Sequence, residues 1–166
     1  MRRSLQHNRR QRIAHRERPR LIVSASVRDF IVQTATESPD VETGGILMGP
    51  PNSPSGTVVV THASDGGPGA QQTAGMFLRN TEYCRGVLHD HYERFGVDYV
   101  GEWHSHILPL RGPSMGDLAT IAGIMHDPDY DFTTFALLIA VLANPAADEI
   151  EVDLLVLAQR RSSGLL

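Results

Sequence analysis

Along the 166 residues, the spacing of apolar positions marks out a succession of short elements. Leu21 to Ser26 reads as a short strand or lead-in, and Val27, Phe30 and Ile31 then fall three and four apart, predicting a helix over 27–38 that Pro39 ends. Gly44-Gly-Ile-Leu-Met-Gly49 is an apolar run bounded by glycines, and Thr57-Val-Val-Val-Thr61 is β-branched. With the turn-rich segment 50–56 between them, these two predict a hairpin. Asp65 to Gly69 reads as a loop, and Thr81 to Phe95 as a helix with Gly96 at its end. Val97–His104 follows as a strand, Ser114–His126 as a helix, and Phe132–Leu142 and Glu149–Ala158 as two further strands. No internal repeat is visible. Strands and helices mixed in this order imply an α/β or α+β layer fold around one main sheet.

Composition narrows the class. A chain 41% hydrophobic and 20% charged suits one domain. Its expected limits are residues 21–160, between a basic tail at 1–20 and a short C-terminal tail at 161–166. The longest strongly apolar stretch, Phe135 to Ala143, is far shorter than the ~20 residues that span a bilayer, so no membrane role is expected. Cys84 is the single cysteine, which excludes an internal disulfide framework and a Cys-rich zinc ribbon. Met1-Arg2-Arg3 leads into further polar residues rather than an apolar leader, and a cytoplasmic protein is expected.

Charge is uneven: residues 1–20 hold eight Arg and one Glu, net +7, while residues 21–166 hold seven Arg and 18 acids, net −11. No aromatics interleave the arginines, so the tail is expected to be a solvated, disordered extension, and nucleic acid is not an expected partner. All 15 basic residues are Arg. Coding bias accounts for that most simply; a protein living beside a lysine-modifying ligase would also gain from offering no side-chain amine.

Eight histidines raise the question of metal. At this frequency one His-x-His by chance is close to even odds, and two occur. His89-Asp90-His91 falls in a predicted helix, where residues two apart point to nearly opposite sides and cannot share an ion. His104-Ser105-His106 ends a predicted strand, where they share a face. Ser114 and Asp117 follow at a spacing, His-Ser-His-x7-Ser-x2-Asp, expected by accident on the order of once per thousand such sequences. Ser-x-x-Asp is also a helix N-cap pattern, and both readings hold together, since capping would aim the two residues at one site. Two imidazoles and a carboxylate make a three-ligand zinc site with its fourth position open, the catalytic pattern. His-Glu-x-x-His is absent, which excludes a zincin, and one cysteine excludes a zinc deaminase. For a general base, Glu102 is near in sequence but ambiguous, and Glu42 opens Val41-Glu-Thr-Gly-Gly-Ile-Leu-Met-Gly49 as a carboxylate beside a buried strand.

Glu42 with Thr-Gly-Gly-Ile-Leu-Met-Gly, followed in order by His104-Ser-His106-x7-Ser114-x2-Asp117, resembles the JAMM (JAB/MPN+) zinc isopeptidases, with single-domain mixed-sheet folds flanked by helices. The length and the run Tyr99-Val-Gly-Glu-Trp-His-Ser-His are most similar to prokaryotic JAB proteins encoded beside E1- and E2-like enzymes in antiphage operons of the CBASS and Bil types. The resemblance implies that His104, His106 and Asp117 hold Zn²⁺, that Glu42 shuttles the water proton to the leaving amine, and that Ser114 hydrogen-bonds the developing oxyanion or the water. It further implies a ubiquitin-like modifier and its conjugates as substrate, with the operon's E1/E2-like enzymes as partners. Ile107 departs from the family's habit of Pro after the second His, and altered loop shape rather than lost catalysis is expected. There is no room for the insertions that confer linkage selectivity. A hydrolase that processes sulfur-carrier proteins is the alternative within the same chemistry, and a non-catalytic MPN scaffold the alternative outside it.

Bland roles are expected elsewhere: Trp103 in the core facing away from the histidines, Cys84 as a small semi-buried residue, and His62 and His126 structural or exposed. Phe77 and Leu78 are read as either groove lining or core.

Overall fold

The computed structural model describes residues 19–54, 56–107, 110–130, 132–144 and 149–159, with backbone alone from 143 onward. The elements run β1 (Arg20–Val23), α1 (Ala25–Thr36), β2 (Gly44–Gly49), β3 (Thr57–Val60), β4 (His62–Ala63), β5 (Gln71–Thr73), β6 (Met76–Leu78), α2 (Thr81–Phe95), β7 (Asp98–Ile107), α3 (Met115–His126), β8 (Thr134–Asn144) and β9 (Glu149–Gln159). Of the basic tail, residues 1–18 lie outside the described residues, and so does the C-terminal segment 161–166. None of the described helices is long and apolar enough to cross a membrane.

Five strands form the main sheet in the order β4-β2-β7-β8-β9. Only β7 and β8 are parallel, so the chain needs a crossover between them, and α3 supplies it. On one face, Val27, Ile31 and Ala35 of α1 pack on Leu47, Trp103, Leu138 and Leu142. On the other, Cys84 of α2 and Ile121 and Met125 of α3 pack on Ile46, Met48, Leu137 and Ile139. Helices on both faces explain why β8 is an unbroken apolar run, buried from Phe135 through Leu142. Each of its large side chains, the two alanines aside, contributes about 1.5–3 kcal/mol on burial.

One predicted feature comes out differently, and one feature was not predicted. The expected hairpin of Gly44–Gly49 with Thr57–Thr61 does not form: β3 lies parallel to β1, Leu21 opposite Val58 and Val23 opposite Val60. The chain then crosses at Thr61, whose N–H donates to the Met48 carbonyl at 2.9 Å, and the two-residue β4 pairs with β2 instead. β-Branched composition favours an extended strand but says nothing of which neighbour it takes. There is also a small second hairpin, β5–β6, that no apolar alternation announces.

Element ends follow local chemistry. The α1 helix stops at Thr36, capped at Glu37 ahead of Pro39, and α2 ends on Gly96 at φ 64°, a left-handed cap that glycine adopts without strain. β7 runs to Ile107, beyond its expected end, because Ile107 continues the ladder opposite Leu142 where a proline would interrupt it. Near its start, the register slips between Leu47 and Met48, which oppose Gly101 and Tyr99, leaving Val100 as a bulge. The bulge puts Tyr99 on the same face as Glu102, and the two hydrogen-bond.

Candidate metal centre

β7 carries His104 and His106 two apart, so both rings rise from one face of the sheet. Their Nε2 atoms stand 2.9 Å apart, with ring centroids at 4.7 Å. Ser105, between them, points the other way: its hydroxyl accepts the Thr43 N–H at 2.9 Å, and its own N–H donates to the Thr43 carbonyl at 2.7 Å. That reciprocal pair ties the segment bearing Glu42 to the strand bearing the histidines. Gly44 and Gly45 allow the close approach. A Cβ on Gly44 would collide with the Trp103 carbonyl and one on Gly45 with the Ser64 carbonyl.

The third group arrives on α3. Ser114 is the N-cap: its hydroxyl oxygen accepts the Asp117 N–H at 3.1 Å, while its own N–H donates to Asp117 Oδ2 at 2.6 Å, a reciprocal capping box. Held this way, Asp117 presents Oδ1 3.3 Å from His104 Nε2 and Oδ2 3.4 Å from His106 Nε2. Among the described residues, His104, His106 and Asp117 form the one group able to offer three ligand atoms to a single ion, all within 4.8 Å of one another.

The donor set fits zinc. Tetrahedral coordination at 2.0–2.1 Å places ligand atoms about 3.3 Å apart; Asp117 meets that separation with a different oxygen toward each imidazole, so a turn of the carboxylate and an opening of the imidazole nitrogens by a few tenths of an ångström bring one oxygen and both rings onto one ion. Electrostatics agree. Burial, and then His104, push the His106 pKa down, against the opposing pull of Asp117 and the Gly112 backbone. The neutral ring that a metal requires is thereby favoured. Burial works against ionising Asp117, yet hydrogen bonds from His104 and Ser114 outweigh it and hold the carboxyl far below the usual range.

Glu42 sits at the edge of this group, buried and 8% exposed. Burial raises its pKa; His104 lowers it and Asp117 raises it again, which places the carboxyl within electrostatic reach of both. Its backbone N–H donates to the Thr73 carbonyl of β5 at 2.8 Å. Glu102, the other carboxylate weighed as a base, is occupied: it ion-pairs with Arg79 and accepts the Tyr99 hydroxyl at 2.7 Å. Thr43 and Ser105, 62 residues apart, and the pairing of Arg79 with Glu102, 23 apart, carry no motif, and the Tyr99–Glu102 bond depends on a bulge, so sequence reasoning missed these contacts.

The remaining singled-out residues sort readily. Trp103 is 1% exposed on the opposite face, its indole N–H donating to the Ser64 carbonyl. Cys84 is buried, and burial raises its thiol pKa, as an unreactive packing residue requires. His62 packs against His91 and Phe95, half-buried. Phe77 lies over Gly44 and Gly66, while Leu78 is exposed. A cleft of about 580 Å³ opens near the start of β7, lined by Arg79, Tyr99, Tyr130 and Phe132 among others and by none of the five residues of the centre.

Comparison with known proteins bears on this arrangement. The family model "Prokaryotic homologs of the JAB domain" matches residues 24–154. The chain is 34% identical over 115 residues to probable metalloprotease y4qB of Sinorhizobium fredii, covering 67% of this chain and 70% of that protein. It is 29% identical over 110 residues to the CD-NTase/cGAS isopeptidase of Enterobacter hormaechei subsp. hoffmannii, covering 66% of this chain and 61% of that one. The solution structure of protein DSY2949 from Desulfitobacterium hafniense matches with a TM-score of 0.57, covering 87% of this chain and 97% of that one. At 18% identity that likeness bears on the fold alone. The relatives' names support a hydrolase that uses a metal. With the family model spanning most of its length, the chain belongs to the prokaryotic JAB family, of the JAMM type.

Proposed function

We propose that the chain is a zinc-dependent isopeptidase or peptidase that removes or matures a ubiquitin-like modifier within a bacterial antiphage conjugation system. One observation carries this: three ligand atoms from His104, His106 and Asp117 converge beside a separate buried carboxylate, Glu42, whose pKa burial raises. The relative named as a CD-NTase/cGAS isopeptidase supports an isopeptide bond, and so a conjugated modifier, as the substrate. The catalytic unit is taken as residues 21–160, acting in the cytoplasm beside E1- and E2-like enzymes that make the conjugate.

His104, His106 and Asp117 would hold the zinc, which when bound supplies Lewis acidity at the scissile carbonyl and lowers the pKa of water at its open position to about 7. Glu42 takes the proton from the attacking water and delivers it to the amine that leaves as the C–N bond breaks. Burial raises the Glu42 pKa, which makes its carboxylate a stronger base for the water proton than an exposed one. The Ser114 oxygen already accepts the Asp117 N–H, which leaves the hydroxyl proton free to donate to the developing oxyanion, worth about 3 kcal/mol for a donor so placed.

The test is to purify the full chain, measure bound zinc, and incubate it with ubiquitin-like proteins encoded nearby, each fused through its C-terminal tail to a reporter. Chelator-sensitive cleavage immediately after the tail is expected. A zinc-loaded chain that leaves every fusion intact overturns the proposal.

A further inference from the structure

The hairpin β5–β6 has little to stabilise it by itself: two three-residue strands, with Phe77 alone among their residues partly buried. Isolated hairpins are marginal in water, so something must hold this one. Its first strand does a task at the centre, since the Thr73 carbonyl accepts the Glu42 N–H at 2.8 Å. Its second strand lays the Phe77 ring over Gly44 and Gly66.

The anchor lies immediately beyond that second strand. Arg79, next after Leu78, is half-buried and ion-pairs with Glu102 of β7, and Glu102 Oε1 also accepts the Tyr99 hydroxyl at 2.7 Å. Asn80 adds two bonds, from its N–H to the Gly66 carbonyl and from its side chain to the Pro68 carbonyl, both 2.8 Å. Glu102 stands two residues before His104 on the same strand face, so the strand that carries the histidines also grips the hairpin that holds Glu42. The Val100 bulge is what brings Tyr99 round to that face.

We propose that Arg79, Glu102 and Tyr99 are positioning residues: their cluster clamps the β5–β6 hairpin to β7, and through the Thr73 carbonyl it fixes the backbone of Glu42 relative to His104 and His106. This rests on Glu42 being the base proposed above. A displacement of the base by about 1 Å costs up to about 100-fold in rate, so the clamp matters to turnover while touching neither metal nor substrate.

The experiment uses the full zinc-loaded chain and reads two quantities. By hydrogen exchange, Arg79→Ala should speed the Glu42 amide and those of 71–78 by roughly tenfold or more, while β8 amides keep their protection. With a cleavable modifier fusion, kcat should fall about 10–100-fold with KM and bound zinc nearly unchanged. Arg79→Lys, which keeps the charge, should recover part of both losses. Should Arg79→Ala not fold because Glu102 is stranded, the double variant R79M/E102M removes both charges, and such replacements are commonly neutral to stability. A folded variant of either kind whose Glu42 amide exchanges as in wild type overturns the proposal. The exchange readout needs no turnover, so a chain that cleaves no fusion defeats the assigned activity without touching the clamp, and the converse holds as well.

Discussion

The chain contains the same tripeptide pattern twice, and the two copies differ completely. His104-Ser-His106 lies on a strand, and its Nε2 atoms face each other at 2.9 Å above Asp117. His89-Asp-His91 lies on α2, where the 100° turn per residue separates the rings: His89 is exposed, and His91 turns back to pack on His62 and Phe95 with Nδ1 on the Val87 carbonyl. Residue identity is equal; backbone period decides which pair can share an ion. A third ligand completes the lesson, because α3 delivers Asp117 to the strand pair and no carboxylate joins the helix pair in a three-ligand group among the described residues.

The widest gap between the copies should appear in metal content. His104→Ala or His106→Ala should weaken zinc affinity by well over about 100-fold, whereas His89→Ala and His91→Ala should leave bound zinc unchanged on dialysis. A helix-pair variant that empties the protein would erase the distinction. Next in size, Glu42→Gln should keep its zinc yet lose about 10²–10⁴-fold in peptidase rate, since it removes the proton carrier and no ligand. Equal loss of zinc and rate would move Glu42 into the coordination set.

Ser114→Ala should cost about 100-fold in kcat as an oxyanion donor and, separately, about 1 kcal/mol as a lost cap. A drop in Tm of about 2–4 °C reports the cap; a Tm drop without the rate loss would confine Ser114 to its structural task. The smallest effect belongs to the helix side. Burial and then His91 lower the His62 pKa in the fold, so the unfolded chain binds more protons as pH falls below about 6.5. His62 therefore weighs against stability on acidification and is silent above neutrality. The Tm difference between wild type and His62→Phe should be constant above pH 7 and shift in favour of the variant below it.

Much of the fold was legible where signals are local. The bounds of β2 and α2 are those the glycines and helical spacing predict, and the Ser114 cap starts α3 where a Ser-x-x-Asp pattern says it should. Partnership is what escaped. Thr57–Val60 was readable as a strand and not as the neighbour of β1, because pairing depends on which faces the core buries. The β5–β6 hairpin offers only Gly75 as a turn signal between strands of polar and mixed character. At the site, the same division holds: His104, His106, Ser114 and Asp117 stand within a dozen or so residues and carry a readable spacing, while the engagement of Glu102 by Arg79 joins separate segments and that by Tyr99 depends on a bulge in β7. The partners that occupy Glu102 are visible only in three dimensions.

The capping box has one more implication. Asp117 is aimed by the Ser114 main chain and hydroxyl, and the two imidazoles by strand pairing. The shape of the socket thus comes from the chain's own hydrogen bonds. Stripping it with a chelator should therefore leave the circular dichroism spectrum as it was, and adding the ion back should restore cleavage at the speed of diffusion rather than of refolding.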